Sequence, residues 1–235
     1  MAPAHTTADF EIAYHAATPH GVLTAVVIPD APDPVPEEVL ERLHPDEAAH
    51  AVTLRGYTQV QFCGGRLALR AACGQLGVDP PGILSNDRGA PVVPAGIAAS
   101  ISHKGTLAIG MAARDVDGTL GADLENYGPP RPRIAERILR PEELAAIEDL
   151  SPERRWIAVL LRFSIKESIY KALDPYVRRY VGFHEANVTP DLRGSAEVTL
   201  HLANSEGPYE VDARYEWMHG RILTSARILP APRRQ

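Results

Sequence analysis

The chain is 235 residues long and 45% apolar, enough to bury the core of one large domain or two small ones. Its 24 Lys and Arg against 30 Asp and Glu leave a net charge of -6, which argues against nucleic-acid binding through a globally basic surface. No apolar run approaches the roughly 20 residues of a bilayer span. Residues 1–10 lack the basic flank and apolar core of a leader, so the protein reads as cytoplasmic with no membrane contact. Cys63 and Cys73, the only cysteines, fit reduced structural thiols better than a disulfide or zinc framework.

Residues 21–28 are short and β-branched and run into a proline-rich loop, which predicts a buried strand. The pattern over 45–76 predicts one long helix. Pro45 suits a first helical position, Asp46 and Glu47 favour the positive end of the dipole, and Gly77 supplies the stop. Gly64 and Gly65 fall in its middle, where each costs about 1 kcal/mol relative to alanine. The pair marks a kink, a close approach by a backbone or ligand, or a simple helix–helix contact.

After a turn over 85–91, two strands at 97–102 and 106–113 joined through His103, Lys104 and Gly105 predict a hairpin. A connector at 115–119, a strand at 120–125 and helical segments at 134–139 and 142–149 follow. A second long helix spans 156–173, apolar on one side, with Arg162, Lys166, Glu167 and Lys171 on the rest. Strands at 181–188, 196–202, 210–217 and 222–228 predict an antiparallel meander, giving an α+β class. Pro230 and Pro232 mark a loose tail, and no internal repeat is read at the level of residues.

Asp123 and Glu125 are two apart, so on a strand they project from one face and can share a cation. Magnesium prefers such hard oxygens and takes one or two carboxylates together with substrate phosphates. Taken alone, such a pair is more often two acids on an exposed strand. Glu167 and Lys171, four apart on the second long helix, share a face; they form a surface ion pair, or Glu167 completes a carboxylate cluster while Lys171 reaches a phosphate, with Lys166 alongside. His103, after Ser100 and Ser102 in a tight turn, is either locally hydrogen-bonded or part of an anion site with Lys104. Arg88 sits in another turn. Arg55 and Arg66 are eleven apart on the first helix, with Arg70 four further on; they clamp phosphates or pair with nearby acids.

Taken in order, Gly65-Arg66 with Arg70, Arg88-Gly-Ala-Pro91, Ser100-Ile-Ser-His103, Gly121-Ala-Asp-Leu-Glu125, Phe163-Ser-Ile-Lys-Glu-Ser-Ile-Tyr-Lys-Ala172 and Gly182-Phe183 resemble the Sfp-type 4'-phosphopantetheinyl transferases, in particular the enterobactin and mycobacterial-type subgroup. The match spans most of the chain. The resemblance implies two pseudo-twofold-related α+β halves, each an antiparallel sheet on a long helix, with coenzyme A in the cleft between them. Residues 1–116 would form the half that contacts the nucleotide, and 117–235 the half with the magnesium site and catalytic helix.

It further implies Asp123, Glu125 and Glu167 as magnesium ligands and Lys171 as the lysine on the coenzyme A phosphates. Arg55, Arg66, Arg88, Ser102, His103 and Lys166 would hold the cofactor. Two departures stand out. Thr58 occupies a place that is basic in many relatives, with Arg55 one turn earlier to compensate, and Lys104 replaces a small or polar residue. The activity implied is transfer of phosphopantetheine from coenzyme A to a serine of apo acyl or peptidyl carrier proteins, releasing 3',5'-ADP, by a monomer. Glu167 or a metal-bound water would act as base. Arg131, Arg133, Arg137 and Arg140, the densest basic stretch, form either a solvated helix face, the commoner case, or a docking edge for acidic carriers. A magnesium-dependent phosphoester hydrolase and a non-catalytic coenzyme A- or carrier-binding module are the alternatives.

Overall fold

The structure, a computed structural model, describes residues 9–218 and 220–232. The readings of a leaderless start and a loose tail rest partly on 1–8 and 233–235, which lie outside the described residues. The chain divides into two compact units, Met1–Val116 and Asp117–Gln235. Each is α+β.

The first unit contains β1 (Ile12–Thr18), β2 (Gly21–Val27), α1 (Glu37–Leu40), α2 (Pro45–Ala51), α3 (Gly56–Gln75), β3 (Ile97–Lys104) and β4 (Leu107–Arg114). Its sheet has the order β1-β2-β4-β3, antiparallel throughout. The sequence reading omits β1, an edge strand whose side chains are mostly exposed and which therefore lacks the continuous apolar run that marks β2. The hairpin is tighter than read: His103 pairs with Ala108 and Lys104 with Leu107, so His103 is a strand residue and the turn is Gly105-Thr106. Gly105 takes the positive φ of +57° that this turn needs.

The single helix expected over 45–76 is two. Helix α2 ends at Ala51, Arg55 is extended at φ -139° and ψ 154°, and Gly56 reopens the helix from φ +57°. The apolar period runs across the break because Ala51 and Val60 bury into one cluster with Val26 and Ile28, so periodicity alone does not reveal it. Within α3 the glycine pair produces no break and faces the sheet. A Cβ at Gly64 would run into the Ile28 side chain, and one at Gly65 would lie 2.8 Å from Ile101 Cγ2.

The second unit contains β5 (Thr119–Asn126), α4 (Ala135–Ile138), α5 (Pro141–Ala145), α6 (Pro152–Val177), β6 (Ala186–Pro190), β7 (Ser195–Leu200), β8 (Tyr209–Met218) and β9 (Arg221–Pro230). The order β5-β9-β8-β7-β6 is the expected meander with β5 added to β9. Of the strand read at 181–188, residues 186–188 belong to β6, while Phe183–Glu185 form a 3-10 turn because Glu185 closes a local box with Gly182 through both backbone and side chain. Helix α6 buries Ile165, Ile169, Ala172 and Leu173 against a core that includes Val188, Ala226 and Ile228. Each such large aliphatic side chain contributes about 1.5–3 kcal/mol relative to exposure. Gly121 lets β5 lie against this helix: a Cβ there would strike the Ser168 carbonyl and come 2.8 Å from the Ala172 nitrogen.

Contrary to the sequence reading, the two units do share a residue-level repeat. Leu43-His44-Pro45-Asp46-Glu47 recurs as Leu139-Arg140-Pro141-Glu142-Glu143, 96 positions later. In the first copy the buried Glu47 accepts from the backbone N–H of His44 (3.1 Å) and of Ile83 (2.7 Å) and from Arg70 (3.3 Å), while Arg66 Nε donates to the Ile83 carbonyl at 2.9 Å. In the second, the buried Glu143 accepts from the backbone N–H of Arg140 (2.7 Å) and of Val188 (2.8 Å) and from Lys166 Nζ (2.6 Å), while Arg162 Nε donates to the Val188 carbonyl at 3.2 Å. Positions 66 and 162, and 70 and 166, keep the spacing of 96. Each unit thus has one buried glutamate that ties a short helix, a long helix and a downstream segment together.

Candidate active site

The register of β5 on β9 sets Asp123 opposite Thr224 and Glu125 opposite Ile222. The β-pleat turns both acids to one face, with Asp123 buried and Glu125 half-buried. Ser164, Glu167, Ser168 and Lys171 follow an i, i+3, i+4, i+7 stripe along α6. Ser164 Oγ donates to Asp123 Oδ2 at 2.8 Å, and Lys171 Nζ donates to Asp123 Oδ1 at 2.8 Å and to the Ala122 carbonyl at 2.9 Å. Both carboxylate oxygens of Asp123 are therefore oriented by the same helix. Thr224 supports that helix face, meeting Ser164 Oγ at 3.0 Å and Ser168 Oγ at 2.7 Å and donating to the Ser164 carbonyl at 2.8 Å.

The carboxylates of this cluster act on one another. Burial pushes the Glu167 carboxyl above the usual carboxylate range; repulsion from Asp123 adds to that, Lys171 opposes it, and Glu125 adds again. Two neighbouring carboxylates and one ammonium thus act on Glu167. Among the described residues no three His, Cys, Asp or Glu side chains converge into a ready-made metal cage. The donor set still fits a hard divalent cation, because such an ion binds through one or two carboxylates and completes its sphere with water and substrate phosphates. An added positive charge would relieve the same repulsion that raises Glu167.

The structure therefore brings Asp123, Glu125, Glu167 and Lys171 together. Lys166 is not among them. Its ammonium is wholly buried and donates to Glu143, to the Ile138 carbonyl at 2.8 Å and to the Phe183 carbonyl at 2.9 Å. An ammonium has three N–H donors, and these acceptors use all of them. Burial lowers its proton affinity, while the hydrogen bond and charge of Glu143 oppose the loss.

In the first unit Arg66 is buried too. It stacks 4.1 Å over the Phe62 ring, donates to the Ile83 carbonyl and reaches Ser85 Oγ at 2.8 Å; burial lowers its pKa to about 10. Arg55 donates to the carbonyls of Val52 and Leu54 in its own loop, and Arg70 pairs with Glu47 and Asp79. Arg88 lies in a small hairpin closed by the Ser85–Pro91 bridge, with Asp87 2.9 Å away. Ser102 is buried on β3, and His103 beside it is exposed.

Reading for motifs passes over Thr224 and Glu143 and gives no role to Arg162 and Ser164, which it names only within the second long helix. The signal for Glu143 was the repeated Leu-x-Pro-acid-Glu; for Ser164 it was its place three and seven positions before Glu167 and Lys171, on the same helix face. The cysteines are free and buried, with desolvation pushing Cys63 up to about 12 and Cys73 to about 11. No helix among the described residues is long and apolar enough to cross a membrane.

Residues 119–224 match the 4'-phosphopantetheinyl transferase superfamily, and residues 44–113 match the 4'-phosphopantetheinyl transferase N-terminal domain. The chain is 33% identical over 224 residues to 4'-phosphopantetheinyl transferase Svp of Streptomyces mobaraensis, covering 91% of this chain and 88% of that one. It is 31% identical over 192 residues to 4'-phosphopantetheinyl transferase PptT of Mycobacterium tuberculosis, covering 77% and 84%. Similarity extends to enterobactin synthase component D of Salmonella typhimurium, at 31% identity and coverages of 68% and 66%.

Proposed function

Because this chain belongs to the 4'-phosphopantetheinyl transferase superfamily, we propose that it transfers the phosphopantetheine group of coenzyme A to a serine of apo acyl or peptidyl carrier proteins. The observation that carries this reading is Asp123 fixed between Ser164 and Lys171, with Glu167 raised beside it. The carrier hydroxyl attacks the β-phosphate of coenzyme A; the new P–O bond forms as the bond to 3',5'-ADP breaks. Catalysis of such a step is mainly alignment and charge neutralisation.

Carboxylates from the set Asp123, Glu125 and Glu167 would hold a magnesium ion together with water and substrate oxygens, and the ion would supply positive charge for the pyrophosphate. Lys171, anchored on Asp123 and only partly buried, offers an ammonium to the same phosphates. Glu167 takes the serine proton. A carboxylate within reach of the attacking hydroxyl can accept its proton as that hydroxyl reacts. In the N-terminal half, Arg88 and His103 are the side chains we assign to the nucleotide and its 3'-phosphate. The reaction takes place in the cytoplasm, with the enzyme acting as a monomer.

Intact-protein mass spectrometry of an apo carrier incubated with the chain, coenzyme A and magnesium tests the reading. A gain of one phosphopantetheine, abolished by chelator, is the expected result. No gain on any acyl or peptidyl carrier despite measurable coenzyme A binding would overturn it in favour of a non-catalytic binding module.

A further inference from the structure

The repeated buried glutamate has unequal neighbours in its two settings. In the first unit the long helix α3 carries Ala71 and Gln75 one and five positions after Arg70. In the second, the equivalent positions after Lys166 are Glu167 and Lys171. The anchored stretch of α6 is thus interleaved with the reactive one: Arg162 and Lys166 reach toward Val188 and Glu143, while Ser164, Glu167 and Lys171 serve the Asp123 cluster.

A helix docked by apolar contacts alone retains freedom to slide and rotate, because dispersion and burial are non-directional. Directional bonds remove that freedom. Glu143 is 2% exposed and uses one oxygen on the Val188 N–H and the other on both Lys166 Nζ and the Arg140 N–H. Lys166 in turn holds the Ile138 and Phe183 carbonyls. Helix α6 is therefore pinned to α5, to the end of α4 and to the segment leading into β6. None of these contacts involves Asp123, Glu125, Glu167 or Lys171.

We infer that Glu143, acting through Lys166 and Arg162, is a positioning residue for group transfer, fixing the rotation of α6 so that Ser164, Glu167 and Lys171 meet Asp123. The inference rests on the proposed transferase reaction. Glu47 holds the same bonds in the first unit on a helix that bears none of these groups, and it serves as the internal control.

The experiment compares Glu143→Gln, Glu47→Gln and the double variant Glu143→Gln/Lys166→Met, each full-length, in the carrier mass assay, with kcat normalised to the folded fraction. Thermal melts accompany each. Displacement of reacting groups on the order of 1 Å costs on the order of 100-fold in rate. Glu143→Gln is expected to lower kcat by at least about tenfold with KM for coenzyme A within about twofold. Glu47→Gln is expected to lower Tm comparably while kcat per folded molecule stays within about twofold.

The double variant removes the stranded charge and so recovers Tm, because a neutral replacement of a buried ion pair is well tolerated whereas a lone buried ion is not. Its kcat is expected to stay low, since the Ile138 and Phe183 carbonyls no longer hold the helix. Recovery of kcat together with Tm, or an equal kcat loss in Glu47→Gln, would reduce the pin to a purely structural role and overturn the inference. Failure of the wild type to modify any carrier would instead overturn the proposed reaction.

Discussion

Replacing Ser164 with alanine removes a single oxygen from the centre of the candidate site. That hydroxyl is fully buried and donates to Asp123 Oδ2 at 2.8 Å, while Lys171 keeps Oδ1 at the same distance. A hydrogen bond to a charged group contributes about 1.5–3 kcal/mol. For a chain of this size that lowers Tm by about 3–12 °C, and if the whole loss is expressed in the transfer step it lowers kcat by roughly 10- to 150-fold. Ser168→Ala is the matched control: it is equally buried and bonds Thr224 at 2.7 Å, with no bond of its own to Asp123. The assay is the initial rate of carrier modification by mass spectrometry, at saturating coenzyme A and carrier, beside thermal melts of each variant. Equal kcat losses in the two variants, or kcat within about twofold of wild type for Ser164→Ala despite the fall in Tm, would refute the claim that this hydroxyl orients Asp123 for the reaction.

Asp123→Ala and Glu167→Ala are expected to abolish carrier modification while circular dichroism retains the wild-type spectrum; either variant turning over at near-normal rate would remove that residue from the site. Gly65→Ala adds a Cβ 2.8 Å from Ile101 Cγ2 and should destabilise the first unit by about 1–3 kcal/mol, read from urea melts. Glu185 is held at about 2, first by its hydrogen bond from Arg179 and then by the backbone N–H groups of Gly182 and Ala203. A carboxyl lowered from about 4.3 contributes stability that is complete above that value and is lost as pH falls through about 2. Glu185→Gln should flatten the dependence of Tm on pH across that window and leave its alkaline side unchanged. Arg133 and Arg137 are exposed, whereas Arg140 is engaged with the His184 carbonyl and Glu142. The double charge reversal Arg133→Glu/Arg137→Glu should raise KM for an acidic carrier with KM for coenzyme A unchanged, and an unchanged carrier KM would remove this edge from docking.

Where one element's own pattern decides its structure, the sequence was legible. The apolar stripe of α6, the meander over β6–β9 and the hairpin of β3 and β4 all follow from periodicity and turn residues, and the Asp123–Glu125 pair follows from the period of two along a strand. What escaped depends on partners distant in sequence. Strand β1 is an edge whose exposed face carries no apolar code, and the break between α2 and α3 is hidden because both helices bury residues in one cluster. The glycine pair in α3 left a kink, a close approach and a helix–helix contact open, and that it instead faces the sheet follows only from the position of Ile28 and Ile101.

Lys166 and Lys171 show why residue type and helical spacing stop short of a role. Both stand on the same helix, five positions apart and therefore on different sides of it, and both suit a phosphate by charge alone. Their environments separate them. Lys171 ends beside Asp123, an acid on the adjacent strand, partly exposed and able to meet a substrate; Lys166 ends beside Glu143, fully buried with every donor used. A buried ammonium without a partner is strongly destabilising, so a lysine at that depth requires Glu143. That requirement ties Lys166 to the segment Leu139-Arg140-Pro141-Glu142-Glu143. In the first unit the same frame, built from Glu47, Arg66 and Arg70, holds a helix with Ala71 and Gln75 in place of the reactive pair. The frame is thus common to both halves, while Glu167 and Lys171 stand on the long helix of the second half alone.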